Sequence, residues 1–445
     1  MKTARQLVLE VLIDVERGNW SNRSLDLALE ESDLEARDRR FATQLVYGVL
    51  DNQILLDYQI RKYSKTRLGK LHVEILTILR MGFYQILYLN TVPDASAVDE
   101  SVKLAKQNKG QFSGFVNGIL RQFLRDGKKV QLPDPSKSPS DYLSVKYSHP
   151  LWIVNRWMKR FGKDQAEALL EMNNTSPKVV LRTNTLRISR TKLVQVLHEE
   201  GITASFGKYN EEAVVIEGMD SSIRDLQAYK DGLFTVQDEA SMMVAHVAKP
   251  SSGMRVLDTC SAPGGKVTHI AQLMEDKGDI LSRDIYEQKL VKINGLVRRL
   301  GLKSVKVEQF DATVRDESLV DQMDLVLVDA PCSGLGIIRR KPDIRFNRQE
   351  KDLKELVALQ RQILQTAAQY VRPGGTLIYS TCTTEPEENS KQMKRFLKQH
   401  PDFQPDMDQV DLPEEIEVDQ WGGFSLLPHI HGTDGFFICR LKRKA

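Results

Sequence analysis

The sequence predicts a multidomain chain: an all-α N-terminal domain, a small α+β module, and a C-terminal α/β domain on a doubly wound parallel sheet. Three observations lead there. The 445 residues, 41% of them apolar, suffice for about three domains of ~150 residues with separate cores. Apolar residues recur at helical spacing from Thr3 to about Gly127. After Ser252, apolar strand, turn and helix alternate. No stretch approaches the ~18 apolar residues of a membrane span. Arg5, Glu10, Asp14 and Glu16 interrupt any apolar leader, so a soluble, cytoplasmic protein is expected.

The N-terminal domain, 1–130, rests on Leu7, Val8, Val11, Leu12 and Val15, then Phe41, Leu45, Val46 and Val49, then Ile75, Ile78, Leu79, Phe83 and Ile86. Its last part holds seven basic residues, Lys103, Lys106, Lys109, Arg121, Arg125, Lys128 and Lys129, against the single acid Asp126, a local charge of +6, with Phe112, Phe115 and Phe123 interleaved. The whole chain carries only +3, from 63 Lys+Arg and 60 Asp+Glu. Nucleic-acid contact must therefore come from such clusters, which release counterions from a phosphate backbone, although a charge run alone more often marks a solvated face. Pro133, Pro135 and Pro139 with Ser136, Ser138 and Ser140 mark a linker, 131–140.

The middle module, 141–252, alternates β-rich runs (Val179–Leu181, Ala213–Ile216, Leu233–Val236) with helical stretches at Trp152–Met172 and Lys192–Glu199. The C-terminal domain, 253–445, has strands at Arg255–Leu257, Asp279–Leu281, Val305–Val307, Leu325–Val328 and Thr376–Tyr379. No internal repeat or low-complexity tract is present.

The first of these strands runs into Cys260-Ser261-Ala262-Pro263-Gly264-Gly265-Lys266 and then a helical segment. Small residues at a strand's carboxyl end let a cofactor approach the backbone. The loop lacks G-x-G-x-x-G, and Cys260 and Val267 occupy positions a P-loop would give to Gly and Ser/Thr. Asp284, Asp311 and Asp329 stand at the next three strand ends. Acids rather than cations suit a nucleoside cofactor without phosphate, and S-adenosylmethionine, with its ribose and cationic sulfonium, fits.

Two cysteines, Cys332 and Cys382, also fall at strand ends. One such thiol is commonly a small buried hydrophobe; two together point to chemistry. Cytosine C5 is a poor nucleophile until a thiolate adds at C6, after which the enamine can attack a sulfonium methyl. Only about 3% of an ordinary thiol is ionised at pH 7, so its surroundings must favour the thiolate. Asp329 could hold the N3/N4 edge of the base.

The run Asp258-Thr259-Cys260-Ser261-Ala262-Pro263-Gly264-Gly265-Lys266, with Asp329-Ala330-Pro331-Cys332-Ser333-Gly334, Ser380-Thr381-Cys382-Thr383 and Glu385-Pro386-Glu387-Glu388-Asn389, resembles the Sun/Fmu family of RNA cytosine-C5 methyltransferases. The helical N-terminal region resembles the NusB type of RNA-binding bundle. The pairing is similar to the bacterial branch acting on 16S ribosomal RNA, and the likeness extends to the closing Gly432-Thr433-Asp434-Gly435-Phe436-Phe437. The resemblance implies a Rossmann-like class I methyltransferase domain, S-adenosylmethionine as cofactor, and 16S rRNA or a small-subunit assembly intermediate as partner. It further implies Cys382 as nucleophile, Cys332 assisting release of the methylated base, and Cys260 to Lys266 with Asp284, Asp311 and Asp329 as the cofactor-binding set. Ser261 and Arg283 depart from the family's more usual Ala and apolar residue.

Another RNA such as tRNA, or a non-catalytic ribosome-assembly factor that binds RNA, are the alternative readings. In a DNA-type enzyme Cys332 would be the nucleophile. The cluster Arg339, Arg340, Lys341, Arg345 and Arg348 around Asp343 is expected, with Lys103, Lys106, Arg121 and Arg125, to contact phosphate. The target base must be splayed out of its stack, which favours a single-stranded loop. His429 and His431 lack a third ligand nearby in sequence, so no metal is expected. A monomer is expected.

Overall fold

The computed structural model describes residues 2–218, 222–408 and 410–445. It divides into two compact units: Met1–Thr175 with Ile338–Arg348, and Ser176–Ile337 with Gln349–Ala445.

The first unit is helical. Helices Ala4–Glu16, Ser21–Glu30, Ala36–Asp51, Gln53–Tyr63, Val73–Tyr88, Asp94–Lys109 and Ser113–Arg125 bury Val8, Leu45, Leu56, Ile78, Phe83, Leu120 and Phe123 in one core, the residues that helical spacing singles out. Thr3 opens the first helix through a capping box with Gln6. Gly48 is required by packing: a Cβ there would lie 1.9 Å from Tyr84 Cζ.

Three further helices, Pro139–Tyr147, Leu151–Phe161 and Lys163–Met172, belong to this unit. The stretch expected to be helical from Trp152 to Met172 is two helices, broken at Gly162, whose φ of +80° is in the left-handed region. The sequence boundary at 140/141 therefore differs from the division of the compact units after Thr175. The linker is held rather than loose. The Gln59 amide gives one hydrogen bond to Gln131 O at 2.8 Å and takes one from Gln131 N at 3.0 Å, and Ser148 Oγ accepts from Ile54 N at 2.7 Å. Composition marks where a helix stops, not which side chains fasten the next segment.

The second unit has two sheets. The smaller comprises β1 Val179–Thr183, β2 Thr203–Phe206, β3 Ala213–Glu217 and β4 Phe234–Val236, antiparallel in the order β2-β3-β1-β4. Leu181, Leu193, Leu197, Val214 and Phe234 form its core. Strand β2 escaped the sequence reading because it is an edge strand in which only Ala204 is buried.

The larger sheet comprises β5 Arg255–Asp258, β6 Asp279–Asp284, β7 Val305–Gln309, β8 Met323–Asp329, β9 Val371–Thr381, β10 Phe403–Pro405, β11 Gly423–Leu426 and β12 Phe436–Arg443. Its order is β10-β12-β9-β8-β5-β6-β7, with β11 also on β12. Strands β5 to β9 pair in parallel, whereas β12 runs antiparallel to β9. The sheet is therefore mixed, and a purely parallel sheet is corrected at this edge. Alternate residues enter cores on opposite faces, Val256, Leu325 and Ile378 on one and Leu257, Val326 and Leu377 on the other. That is why these strands read as continuous apolar runs.

From β5 the chain proceeds through β6 to β7, then returns to β8 on the other side of β5. Ligands of open α/β sheets bind outside the carboxyl ends at such a reversal. Asp258, Asp284, Asp329 and Thr381 end four strands. Among the described residues no helix is long and apolar enough to cross a membrane.

Candidate active site: two thiols at neighbouring strand ends

Parallel pairing sets Asp329 of β8 opposite Ser380 of β9, so the chain leaves both strands side by side and carries two thiols with it. Cys332 Sγ and Cys382 Sγ lie 3.3 Å apart. Backbone bonds hold the two exits together: Ala330 N to Ser380 O at 2.9 Å, Gly336 N to Cys382 O at 3.1 Å, and Gly435 N to Gly336 O at 2.8 Å. A Cβ on Gly336 would lie 2.1 Å from Gly435 O, so only glycine permits this approach.

The Lys266 ammonium meets Asp329 Oδ2 at 2.6 Å and lies 4.9 Å from the centre of the Phe436 ring. Ser380 Oγ donates to Asp329 Oδ1 at 2.8 Å. Lys266 was expected with the cofactor loop; its charge is turned to the thiol edge of the site.

Burial works against the Lys266 charge, but the Asp329 carboxylate outweighs it and its pKa ends above the ordinary value. The Cys332 thiol is held well above its usual range, first by its hydrogen bond to Cys382, then by burial, with Glu388 and Asp329 adding negative potential. Either sulfur can donate to the other. The other two thiols have different surroundings. Cys260 is pushed up by burial and by Asp258, and buried Cys439 donates to Trp421 O within the sheet.

Asp258 is pushed up to about 7, chiefly by burial and then by Asp329. Its folded pKa exceeds its unfolded value, so its contribution is fully present below about pH 4 and is lost as pH rises to about 7. Asp258→Asn should therefore gain thermal stability relative to the parent between those limits and hold a constant advantage above them. Melting curves at pH 4, 5.5, 7 and 8.5 test this, and a constant difference across the series would refute it.

The glycine loop adjoins this edge. Gly264, φ +104°, turns the chain into helix Gly265–Leu273. Asp284 spans the loop, accepting Ala262 N at 3.3 Å and Tyr286 N at 3.1 Å. Asp311 closes its own turn by accepting Thr313 N and Oγ1. The unusual Arg283 is explained by strand pairing: it bonds the facing Glu308 and meets Asp316 at 2.6 Å.

The expected RNA-contacting residues all lie in the helical unit. Lys103, Lys106, Arg121 and Arg125 are exposed, but the fold brings acids beside them that a window on 103–129 omits. Lys103 meets Glu100 at 2.6 Å, Lys128 meets Asp94 at 2.9 Å, and Arg121 approaches Asp99 at 3.9 Å. Arg345 requires correction. It is fully buried, bonding Asn174 Oδ1 at 2.9 Å and pairing with Asp51 at 3.3 Å, so it is a structural cation and not a surface phosphate contact. Asp343 is likewise spoken for, accepting Ser21 N and Oγ at 3.0 and 2.7 Å. Arg339, Arg340, Lys341 and Arg348 are half-buried.

Sequence spacing also missed a cluster drawn from three separate elements. Glu212 Oε1 stands 2.8 Å from His246 Nε2 and 2.5 Å from His269 Nε2. Among the described residues these three could offer metal-ligand atoms, all within 4.8 Å of one another. Burial disfavours the Glu212 charge, yet the two histidines outweigh it and hold the carboxyl well below its usual range. His269 is pushed down to about 4 by burial and then Arg182. Glu212 bonds His246 at 2.8 Å, and neither ring nitrogen of His269 has a partner that meets hydrogen-bond geometry among the described residues.

Comparisons with known proteins agree with this architecture. Residues 245–442 match the family described as 16S rRNA methyltransferase RsmB/F, residues 2–125 the NusB family, and residues 149–221 the ferredoxin-like domain of RsmF/B-like methyltransferases. A probable ribosomal RNA small subunit methyltransferase B of Bacillus subtilis is 38% identical, with 99% of each chain covered. Ribosomal RNA small subunit methyltransferase B of Escherichia coli is 32% identical over 92% of this chain and 91% of its own. The crystal structure of PH0851 superposes with a TM-score of 0.84 at 28% identity, covering 99% of this chain and 98% of that one. NSun6 from Pyrococcus horikoshii, solved with SFG, an analogue of S-adenosylmethionine, gives a TM-score of 0.59 at 25% identity over 66% of this chain and 98% of its own.

Proposed function

Because the chain belongs to the RsmB/F family of 16S rRNA methyltransferases, we propose that it methylates C5 of a specific cytosine in 16S rRNA through a covalent bond from Cys382 to C6. S-adenosylmethionine is the methyl donor of this fold. The residues suit it: Asp284, Asp311 and Asp329 at successive strand ends for a cation and a ribose, and a Gly264-Gly265 turn that leaves room for close approach. When bound, it supplies an electrophilic methyl group.

The observation that carries the reading is the 3.3 Å sulfur pair beside the Lys266–Asp329 ion pair. Cys382 acts as the nucleophile, with the Lys266 ammonium as the nearby cation that a thiolate needs. Its lone pair forms the bond to C6, and the C5–C6 π electrons become an enamine able to take the methyl. Asp329 holds the N3/N4 edge of the base. The C5 proton then passes to a base, with Cys332 as that base or its partner, and the electron pair it leaves restores the double bond and expels the Cys382 sulfur. Splitting one hard displacement into addition and elimination is the gain of a covalent route.

Mass spectrometry of nucleosides from 16S rRNA treated with enzyme and labelled cofactor should find the methyl group in 5-methylcytosine. Label confined to tRNA would change the substrate, and label on N4 would change the chemistry.

Lys103, Lys106, Arg121 and Arg125 serve this reading as phosphate contacts, with Arg339, Arg340, Lys341 and Arg348. The double charge reversal Lys106→Glu/Arg125→Glu should weaken RNA binding and lower the slope of log affinity against log salt by about 1–2. Filter binding at graded salt measures this; an unchanged slope removes these two side chains from the interface.

A further inference from the structure

The motif after the second cysteine contains an acid that the two-thiol reading leaves without a task. Glu388 is fully buried, and its carboxylate accepts from both cysteine loops. Oε1 takes Ser333 N at 2.8 Å and Gln360 Nε2 at 2.9 Å; Oε2 takes Ser333 Oγ at 2.5 Å and Thr383 Oγ1 at 3.0 Å. Ser333 follows Cys332 and Thr383 follows Cys382, and their hydroxyls are 2.7 Å apart. Gln360 also donates to Pro331 O at 3.0 Å, so the first loop is held on both sides of its cysteine. Asn389 does the same for the second, accepting from Thr381 Oγ1 at 2.6 Å and donating to Thr383 O at 2.9 Å.

We propose that Glu388 is a positioning residue that locks the two cysteine loops, and with them the two thiols, in one register. The inference rests on the two-thiol reading above. A buried carboxylate surrounded by neutral donors is expensive unless its hydrogen bonds are complete, and here four bonds converge on it. Burial raises its pKa, opposed by the Ser333, Gln360 and Thr383 bonds. The charged and titratable groups facing the sulfurs are Asp329, Lys266 and Glu388, with Tyr379 donating to Glu388 O at 2.7 Å. Glu388 opposes charge on Cys332. A glutamine would keep the size of the side chain but remove this negative potential and replace one acceptor oxygen with a donor.

The test uses the full chain and iodoacetamide, which alkylates a thiolate with loss of iodide, with each site read by peptide mass spectrometry from pH 6 to 10. In E388Q the Cys332 profile should move to lower pH, with alkylation at pH 8 rising about 5-fold or more. The turnover number should fall about 10-fold, and KM for S-adenosylmethionine should stay within about 3-fold, because positioning and not cofactor binding is lost. An unshifted Cys332 profile overturns the inference, as does turnover within about 2-fold of the parent. If E388Q does not fold, S333A removes one hydroxyl link while leaving the Ser333 amide bond, and must lower turnover about 10-fold with KM retained. Alkylation needs no RNA. A wild-type chain that makes no 5-methylcytosine while E388Q still moves Cys332 would therefore defeat the proposed reaction and leave the positioning role standing.

Discussion

Cys382→Ala should abolish methyl transfer, a loss on the order of 10³-fold or more, because the sulfur assigned to add to C6 is removed. It should also form no covalent complex with RNA. Cys332→Ala should behave in the opposite way at the covalent stage. Addition and methyl transfer proceed from Cys382, but release fails, and a protein–RNA adduct accumulates that survives a denaturing gel. The two sulfurs are only 3.3 Å apart, so position alone cannot tell them apart, and this pair of variants does. An adduct trapped by Cys382→Ala in place of Cys332→Ala would reverse the roles.

The second large effect is on stability. Arg345→Leu should destabilise the protein by about 3–5 kcal/mol, the usual loss when one partner of a buried pair is removed. The guanidinium is fully buried, and Asp51, already pushed up to about 6 by burial against the opposing pull of Arg345, would lose its cation. Asn174 would lose its donor as well. Chemical denaturation monitored by circular dichroism measures the change. A loss below about 0.5 kcal/mol, the level of a surface substitution, would return Arg345 to the phosphate-contact reading.

The contrast between these residues shows what could be read from sequence. Strand ends were legible because β5, β6, β8 and β9 close on Asp or Thr, and pairing in parallel brings such ends to one edge. Cys332 and Cys382, 50 residues apart in sequence, were predictable as neighbours for that reason. The helical core was legible at Leu45, Ile78 and Phe83, where period and burial coincide. Arg345 was not, because a run of five cations around one acid looks the same whether its members face water or a buried carboxylate. The net charge of the basic run at 103–129 was incompletely legible, because its partners Asp94, Asp99 and Glu100 lie just outside that window, Glu100 one helical turn before Lys103 and the other two brought up by packing. Strand β2 was missed because a short edge strand carries little periodic signal, and β12, eight mostly buried residues between β9 and β10, has an antiparallel direction that an apolar run does not announce. Glu388 stood in a quoted motif without a role, since its function depends on two loops meeting in space.

The helical unit contains Ile338–Arg348 as well as its N-terminal helices, which has a bearing on synthesis. The amide of Ser21 waits for Asp343, 322 residues downstream, and Asp51 waits for Arg345, 294 residues downstream. At about 5–20 residues per second, the earliest helices leave the ribosome roughly 15–60 s before their last partners exist. The nascent bundle must persist through that interval with the Asp51 carboxylate still hydrated, and it acquires its final form only when most of the second unit has also been translated.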